Sequence, residues 1–189
     1  MEINAVGALL DNLTWRHRRN VKKVFVFDAH FAKERWTKEK NLKLENIPFS
    51  EVMMAYAQNK HPSMIFMAPD AGSTRRSLIK GAKKKRSNSY EVKVDLGEEF
   101  ASIVKGQTIG VVDDILSTGT TLERFYHEAK RCGAKKLYAL ITHGVNKSGI
   151  DRINALYDGL YLSDTTNVSN NPAVTIAPTL ADVIIRSFE

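Results

Sequence analysis

The stretch TIGVVDDILSTGTTLERF, residues 108–125, decides the fold of this 189-residue chain. An apolar run ends in two adjacent acids, and a loop of small hydroxyl residues and glycine then leads into an amphipathic pattern. Unpaired charges are costly to bury, so an acid pair at the end of a buried strand indicates a ligand. Backbone N–H groups at a helix start, with hydroxyls beside them, bind phosphate, and two carboxylates suit a vicinal diol. The alternative is a strand–turn–helix with a solvated acid pair.

The stretch therefore predicts a site for a phosphorylated sugar, with the ribose hydroxyls on the acids and the phosphate in the loop. The residues predicted to bind it are Asp113, Asp114, Ser117, Thr118, Gly119, Thr120 and Thr121.

Outward from this stretch, short apolar runs alternate with helical patterns. The predicted strands are 23–28, 63–69, 108–114, 136–144, 159–164 and 173–178. Most of these runs are nearly continuous, which is typical of parallel strands covered on both faces. Ser50 is a predicted N-cap, and Thr179 with Asp182 resembles a capping box. These signals predict an α/β fold with a mostly parallel sheet and helices on both faces.

Composition and charge bound the function. The single cysteine, Cys132, excludes an intrachain disulfide and favours a reducing cytosol. The first residues do not resemble a signal peptide, and no apolar run is long enough to predict a membrane span. The net charge is +7, and residues 75–86 contain seven basic residues and no acid. This run predicts an anion-binding surface, with 81–90 as a mobile loop; a solvated loop is the simpler alternative. A nucleic-acid surface is disfavoured because aromatic residues are not interleaved.

The segment VVDDILSTGTTL, residues 111–122, resembles the phosphoribosyl pyrophosphate (PRPP) motif of type I phosphoribosyltransferases and PRPP synthetases. Three further stretches, 24–32, 67–76 and 140–145, resemble PRPP synthetase segments and occur in the same order. The chain thus resembles the C-terminal part of a ribose-phosphate pyrophosphokinase. The expected fold is that of type I phosphoribosyltransferases.

This resemblance implies roles for residues outside the motif. It implies Mg²⁺ binding by His30 and Asp70, although a structural histidine and a turn aspartate are the simpler readings. It implies transition-state stabilisation by Lys84 and Arg86, with neighbouring lysines leaving the register open. The residues assigned by resemblance to nucleotide or other phosphates are Gly72, Ser73 and Arg75.

Two parts of the chain are distinguished by the resemblance. Residues 1–45 resemble the end of a synthetase N-terminal domain, and residues 46–189 a phosphoribosyltransferase-type domain. Three functions remain open: a PRPP synthetase acting on ATP and ribose 5-phosphate, a phosphoribosyltransferase using PRPP and a base, and a non-catalytic synthetase-associated subunit. An apolar face within residues 3–13 predicts a homo-oligomer. The acceptor sugar stays open.

Overall fold

The computed structural model describes residues 23–30, 36–39, 42–70, 97–168 and 172–187. The chain divides into two compact units, Met1–Pro48 and Phe49–Glu189. The proposed domain start at residue 46 stays a prediction. Three of the segments assigned from the sequence, 3–13, 71–76 and 81–90, lie outside the described residues.

The first unit contains a three-stranded sheet. Its strands are β1 (Lys23–Phe27), β2 (Trp36–Glu39) and β3 (Leu42–Ile47), in the order β1-β3-β2. Strand β1 runs parallel to β3, and β2 runs antiparallel to it. The strand predicted at 23–28 is confirmed. Strands β2 and β3 are not predicted by the apolar pattern, because lysines and glutamates interrupt their apolar residues.

The second unit is built on a four-stranded parallel sheet. Its strands are β4 (Ile65–Met67), β5 (Thr108–Leu116), β6 (Lys136–Gly144) and β7 (Gly159–Leu162), in that spatial order. All four were predicted. Strand β5 continues to Leu116, so the acid pair lies inside the strand and not at its end.

Five helices are described. They are α1 (Ser50–Lys60), α2 (Gly97–Val104), α3 (Thr120–Arg131), α4 (Lys147–Leu156) and α5 (Ala177–Arg186). Helix α1 packs near β5 and β6, whereas α4 packs near α3, β6 and β7. The core contains Phe125 of α3 and Ile153 of α4, both with no exposed surface. The predicted α/β fold with a parallel sheet is confirmed. None of the described helices is long and apolar enough to cross a membrane.

The strand predicted at 173–178 is wrong. Only Val174 forms an isolated bridge, to Ser163 beyond β7. The backbone N–H of Ile176 donates to Oδ1 of Asp164 at 2.7 Å, and the hydroxyl of Thr175 donates to Oδ2 at 2.6 Å. These bonds draw the segment toward one carboxylate, so it turns into α5 and does not extend along the sheet.

Both predicted N-caps are displaced. Helix α5 begins at Ala177 with a proline in its first turn, so Thr179 lies within the helix. Ser50 is the first residue of α1 and Phe49 is its N-cap, with no side-chain capping bond. Phe49 is fully buried, and burial of this ring sets the helix start in place of a polar cap.

Candidate sugar-phosphate site

Polar side chains collect at one edge of the second unit's sheet. Because β4 to β7 are parallel, their carboxyl ends share this edge, where ligands of open α/β sheets bind. Asp70 follows β4, the loop 117–121 follows β5, and His143 is the last residue but one of β6. The sequence-predicted sugar residues therefore lie on elements that meet at one edge.

The two acids of β5 have different surroundings. Side chains alternate along a strand, so Asp113 and Asp114 project to opposite faces. Asp113 is half-buried, whereas Asp114 is only 7% exposed. Oδ1 of Asp113 accepts a hydrogen bond from the backbone N–H of Asp114 at 3.1 Å. Asp113 is the more accessible of the two to a ligand.

The loop after β5 exposes its hydroxyls and buries its glycine. Thr118 and Thr120 are exposed, and their Oγ1 atoms lie 3.1 Å apart. Gly119 is buried with a φ of 80°, a left-handed conformation that favours glycine, and it is the N-cap of α3. Its carbonyl accepts from the N–H of Glu123 at 2.9 Å. The turn at Gly119 thus starts α3 between the two exposed hydroxyls of Thr118 and Thr120.

Ser117 and Thr121 complete the exposed face of this loop. The N-terminus of α3 adds a partial positive charge and N–H groups there, as a phosphate requires. Hydroxyl donors and a helix start are therefore combined at one place, which begins three residues after Asp114. This arrangement can hold a phosphate and a diol of one small molecule.

Asp70 places a carboxylate just beyond the neighbouring strand, β4. It is half-buried just beyond β4, and β4 pairs with β5. Carboxylate oxygens together with substrate phosphates and waters are the ligands Mg²⁺ prefers, so the donor chemistry fits this ion. Within the described ranges, no group of three or more His, Cys, Asp or Glu side chains is arranged to hold a metal.

His30 belongs to the first unit. It is exposed after β1, where the N–H of Ala29 donates to Oδ1 of Asn46 at 2.7 Å and the N–H of Asp28 donates to the carbonyl of Ile47 at 2.9 Å. Asp28 has a φ of 41°. The segment before His30 is thereby fixed to the end of β3. The remaining assigned residues, Gly72, Ser73, Arg75, Lys84 and Arg86, lie outside the described residues.

His143 at the end of β6 received no chemical role from the sequence. Its Nδ1 lies 2.9 Å from Oγ1 of Thr165, and that hydroxyl donates to the carbonyl of Thr142 at 2.6 Å. A hydroxyl has one proton to donate, so Nδ1 of His143 must carry the proton of the shared bond. The hydroxyl of Ser163 donates to the same carbonyl of Thr142 at 2.6 Å. The run SDTT after β7 was the available signal for this network.

Tyr157 links the two helices behind the loop. Its hydroxyl donates to the carbonyl of Leu122 in α3 at 2.7 Å, and it follows the last residue of α4. Burial raises the pKa of this phenol well above its usual value, and the negative charge of Asp113 raises it further. The phenol therefore stays neutral and keeps its hydrogen bond through the neutral pH range.

A parallel sheet with adjacent acids and a loop of hydroxyl residues at the carboxyl ends of its strands is the arrangement expected of the phosphoribosyltransferase class of α/β proteins. The sequence profile of the phosphoribosyl transferase domain matches residues 73–173, more than half of the chain. The chain belongs to this family.

Within this class the chain is similar to ribose-phosphate pyrophosphokinases. The protein of that name from Thermococcus kodakarensis is 30% identical over 175 residues, which are 84% of this chain and 58% of the relative. The one from Thermosipho africanus is 32% identical over 139 residues, 65% of this chain and 42% of the relative. The chain thus spans about half the length of these curated relatives.

A solved structure has the same fold. The crystal structure of phosphoribosylpyrophosphate synthetase from Mycobacterium smegmatis superposes with a TM-score of 0.71 at 19% identity. The match covers 97% of this chain and 63% of that one. The resemblance to the C-terminal part of PRPP synthetases is confirmed, as is the type I phosphoribosyltransferase-like fold.

Proposed function

We propose that the chain carries the ribose 5-phosphate site of a magnesium-dependent ribose-phosphate pyrophosphokinase. In the proposed reaction, the anomeric hydroxyl oxygen of ribose 5-phosphate attacks the β-phosphorus of ATP. The bond between that phosphorus and the α,β-bridging oxygen breaks, the hydroxyl proton is released, and PRPP and AMP form. The names of the relatives support this proposal. Because this chain spans only about half the length of these relatives, the complete enzymatic activity is proposed here and does not follow from the similarity.

One observation supports the sugar assignment: Asp113, an accessible acid near the end of β5, precedes by a few residues the exposed hydroxyls at the start of α3. In the proposal Asp113 accepts hydrogen bonds from the ribose hydroxyls and the loop 117–121 holds the 5-phosphate. Asp114 is buried at 7% exposure, so its proposed contact with the sugar is the weaker of the two. A charge-assisted hydrogen bond to a diol is worth about 1.5–3 kcal/mol.

Mg²⁺ belongs to the proposal as a resident ion, with Asp70 as its proposed ligand in the second unit; the assignment of His30, in the first unit, rests on the family resemblance alone. When bound, the ion neutralises the charge of the transferring phosphates. Asp70 follows β4, the strand that pairs with β5, and brings a second carboxylate to the edge of the sheet where the sugar is proposed to bind. Replacing Asp70 by Asn is expected to raise the Mg²⁺ concentration needed for half-maximal activity, measured by magnesium titration at saturating ribose 5-phosphate.

The basic run supplies the proposed catalytic cations. Transfer of a phosphoryl-type group asks for positioning and charge stabilisation, and needs no covalent intermediate. Lys84 and Arg86 are proposed to contact the transferring group, with Gly72, Ser73 and Arg75 on the nucleotide phosphates. The proposal also includes a homo-oligomer and a cytosolic location.

A second candidate is a phosphoribosyltransferase that consumes PRPP. The sequence STGTT in residues 117–121 is closer to the transferases than to the synthetases, and the same loop would hold the 5-phosphate of PRPP. The third candidate, a non-catalytic associated subunit, would retain the sugar site without turnover.

One experiment separates these candidates. The purified chain is incubated with ATP, Mg²⁺ and ribose 5-phosphate, and AMP and PRPP are quantified. Formation of both in equal amounts is the expected result. Consumption of PRPP with a purine or pyrimidine base, and no AMP from the first mixture, would favour the transferase. Calorimetric binding of ribose 5-phosphate without either reaction would favour the non-catalytic subunit.

A further inference from the structure

The first turn of α4 touches the backbone of the loop that follows β5. A Cβ added at Gly149 would stand 1.8 Å from the carbonyl oxygen of Ser117 and 3.2 Å from the carbonyl carbon of Thr118. Gly149 is buried in this contact. The space that glycine leaves open is therefore filled by the Ser117 carbonyl.

A second contact lies one turn further along the same helix. A Cβ added at Gly119 would meet Cγ1 and Cδ1 of Ile153 at 3.0 and 3.1 Å, and Ile153 has no exposed surface. Gly149 and Ile153 are four residues apart, so they lie on one face of α4. This face of α4 therefore packs against both ends of the turn from Ser117 to Gly119.

The position of α4 is itself fixed to the strand before the loop. The N–H of Val145 donates to the carbonyl of Leu116 at 3.0 Å, which extends the pairing of β5 with β6. The side chain of Asn146 then caps α4 by accepting from the N–H of Ser148 at 2.9 Å. Helix α4 and the loop 117–121 therefore follow two strands, β6 and β5, that are hydrogen-bonded to each other.

A peptide unit is planar, and in the trans form its C=O and N–H point in opposite directions. The Ser117 carbonyl points at α4, so the N–H of Thr118 points away from α4. Ser117 and Thr118 are both exposed, so solvent or a ligand can reach this part of the loop. Contact with α4 on one side thus fixes where an N–H donor points on the other.

We propose that Gly149 is a positioning residue: by admitting the Ser117 carbonyl, it aims the Thr118 N–H at the 5-phosphate of the sugar. The identity of the ligand rests on the proposed function, and the peptide orientation does not. Any side chain at residue 149 displaces the Ser117 carbonyl, rotates this peptide and takes the donor off the phosphate. Loss of one N–H bond to a charged group weakens binding by about tenfold or more.

The test compares Gly149→Ala with Gly159→Ala. A Cβ at Gly159 would meet the Tyr138 ring at 2.8 Å at the opposite edge of the sheet, so this control introduces a clash far from the loop. Thermal unfolding measures the stability loss of each variant, and calorimetry measures ribose 5-phosphate affinity well below both midpoints. We expect Gly149→Ala to weaken affinity about tenfold or more and Gly159→Ala to leave it unchanged. Equal effects, or wild-type affinity in Gly149→Ala, would overturn the proposal.

Amide NMR shifts separate this inference from the proposed function. Without ligand, Gly149→Ala is expected to move the Thr118 amide resonance, while Gly159→Ala leaves it in place. If the wild-type chain did not bind ribose 5-phosphate, the proposed function would fail, and an unmoved Thr118 resonance would overturn the positioning role as well.

If Gly149→Ala does not fold, Ile153→Val replaces it and Ile150→Val becomes its control. Ile150 lies on the same helix, and its Cδ1 would stand 3.0 Å from a Cβ added at Gly144 of β6. Removing one methyl from Ile153 is expected to weaken ribose 5-phosphate binding and shift the Gly119 amide. Equal ribose 5-phosphate affinities and equal Gly119 amide shifts in the two valine variants would contradict the proposed support of the loop by α4.

Discussion

Oδ1 of Asp113 accepts a hydrogen bond from the backbone N–H of Asp114 at 3.1 Å, and the two neighbouring acids are otherwise unlike. Asp113 is half-buried, while Asp114 is 7% exposed and projects to the other face of β5. The two carboxylates form one motif in the sequence but have different surroundings in the structure. Their contributions to binding and stability can therefore be separated by mutagenesis.

Asp113→Asn should weaken ribose 5-phosphate binding about tenfold or more, because a charged acceptor for the sugar hydroxyls is lost. Its effect on folding should be small. Asp114→Asn should instead lower the free energy of unfolding by about 1–3 kcal/mol, because an amide with donors replaces an acceptor-only group in a buried position. Calorimetry and urea unfolding measure the two effects.

The control for both variants is Asp151→Asn, which removes the same charge from an exposed position on α4. It should change neither sugar affinity nor unfolding measurably, since exposed ion pairs such as its contact with Lys147 contribute little. If Asp113→Asn bound ribose 5-phosphate as the wild type does, the sugar assignment to β5 would be wrong.

The basic loop is expected to act in the transition state. Lys84→Ala and Arg86→Ala should each lower kcat about 100-fold while the affinity for ribose 5-phosphate changes little, because their charges stabilise the transferring group. Initial rates and calorimetry give the two quantities. Lys83→Ala and Lys85→Ala are the matched controls. Equal losses in all four variants would indicate general attraction of anions and no specific pair.

The sheet of the second unit was readable from the sequence because its strands are apolar over most of their length. Strand β6, for example, is fully predicted from KLYALITHG, residues 136–144. The acid pair and hydroxyl loop were singled out for a different reason: two adjacent acids in an otherwise apolar stretch are costly to bury without a partner.

Features that depend on distant partners were not readable. The segment 173–178 has an apolar strand-like pattern, yet Asp164 binds its backbone and side chain and turns it into α5. Nor does local sequence reveal that Gly149 lies against Ser117, since the contact joins a helix to a loop more than thirty residues earlier in the chain. Tertiary contacts override local preference at both places.

Self-association is expected in solution. Ile184 and Ile185 on α5 are 43% and 59% exposed, and apolar side chains grouped on a surface favour contact with a partner. The sequence pattern of residues 3–13 predicts a second apolar face. Light scattering at micromolar concentration should report at least twice the chain mass of 21.2 kDa. A species of single-chain mass that still forms PRPP would contradict this prediction.

Tyr157→Phe is expected to destabilise the chain at neutral pH. The variant removes the hydroxyl that donates to the Leu122 carbonyl at 2.7 Å, in a side chain only 5% exposed. Loss of such a bond costs about 1 kcal/mol. Urea unfolding at pH 7 measures the difference. Tyr126→Phe is the control, because its ring lies 5.2 Å from that of Tyr157 and is less buried.

The same variant should change how stability depends on alkaline pH. Burial raises the pKa of Tyr157 in the folded chain, whereas the unfolded phenol ionises near pH ~10. Above that pH the unfolded state releases the proton first, so the stability contributed by the neutral phenol is complete below about pH 10 and falls as the pH rises further. Phenylalanine has no such proton, so the stability advantage of the wild type over Tyr157→Phe should shrink from pH 9 to about 11. Urea unfolding of both proteins across this range gives the difference directly, because the other tyrosines and lysines titrate in both. A difference that stayed constant would contradict the raised pKa of Tyr157.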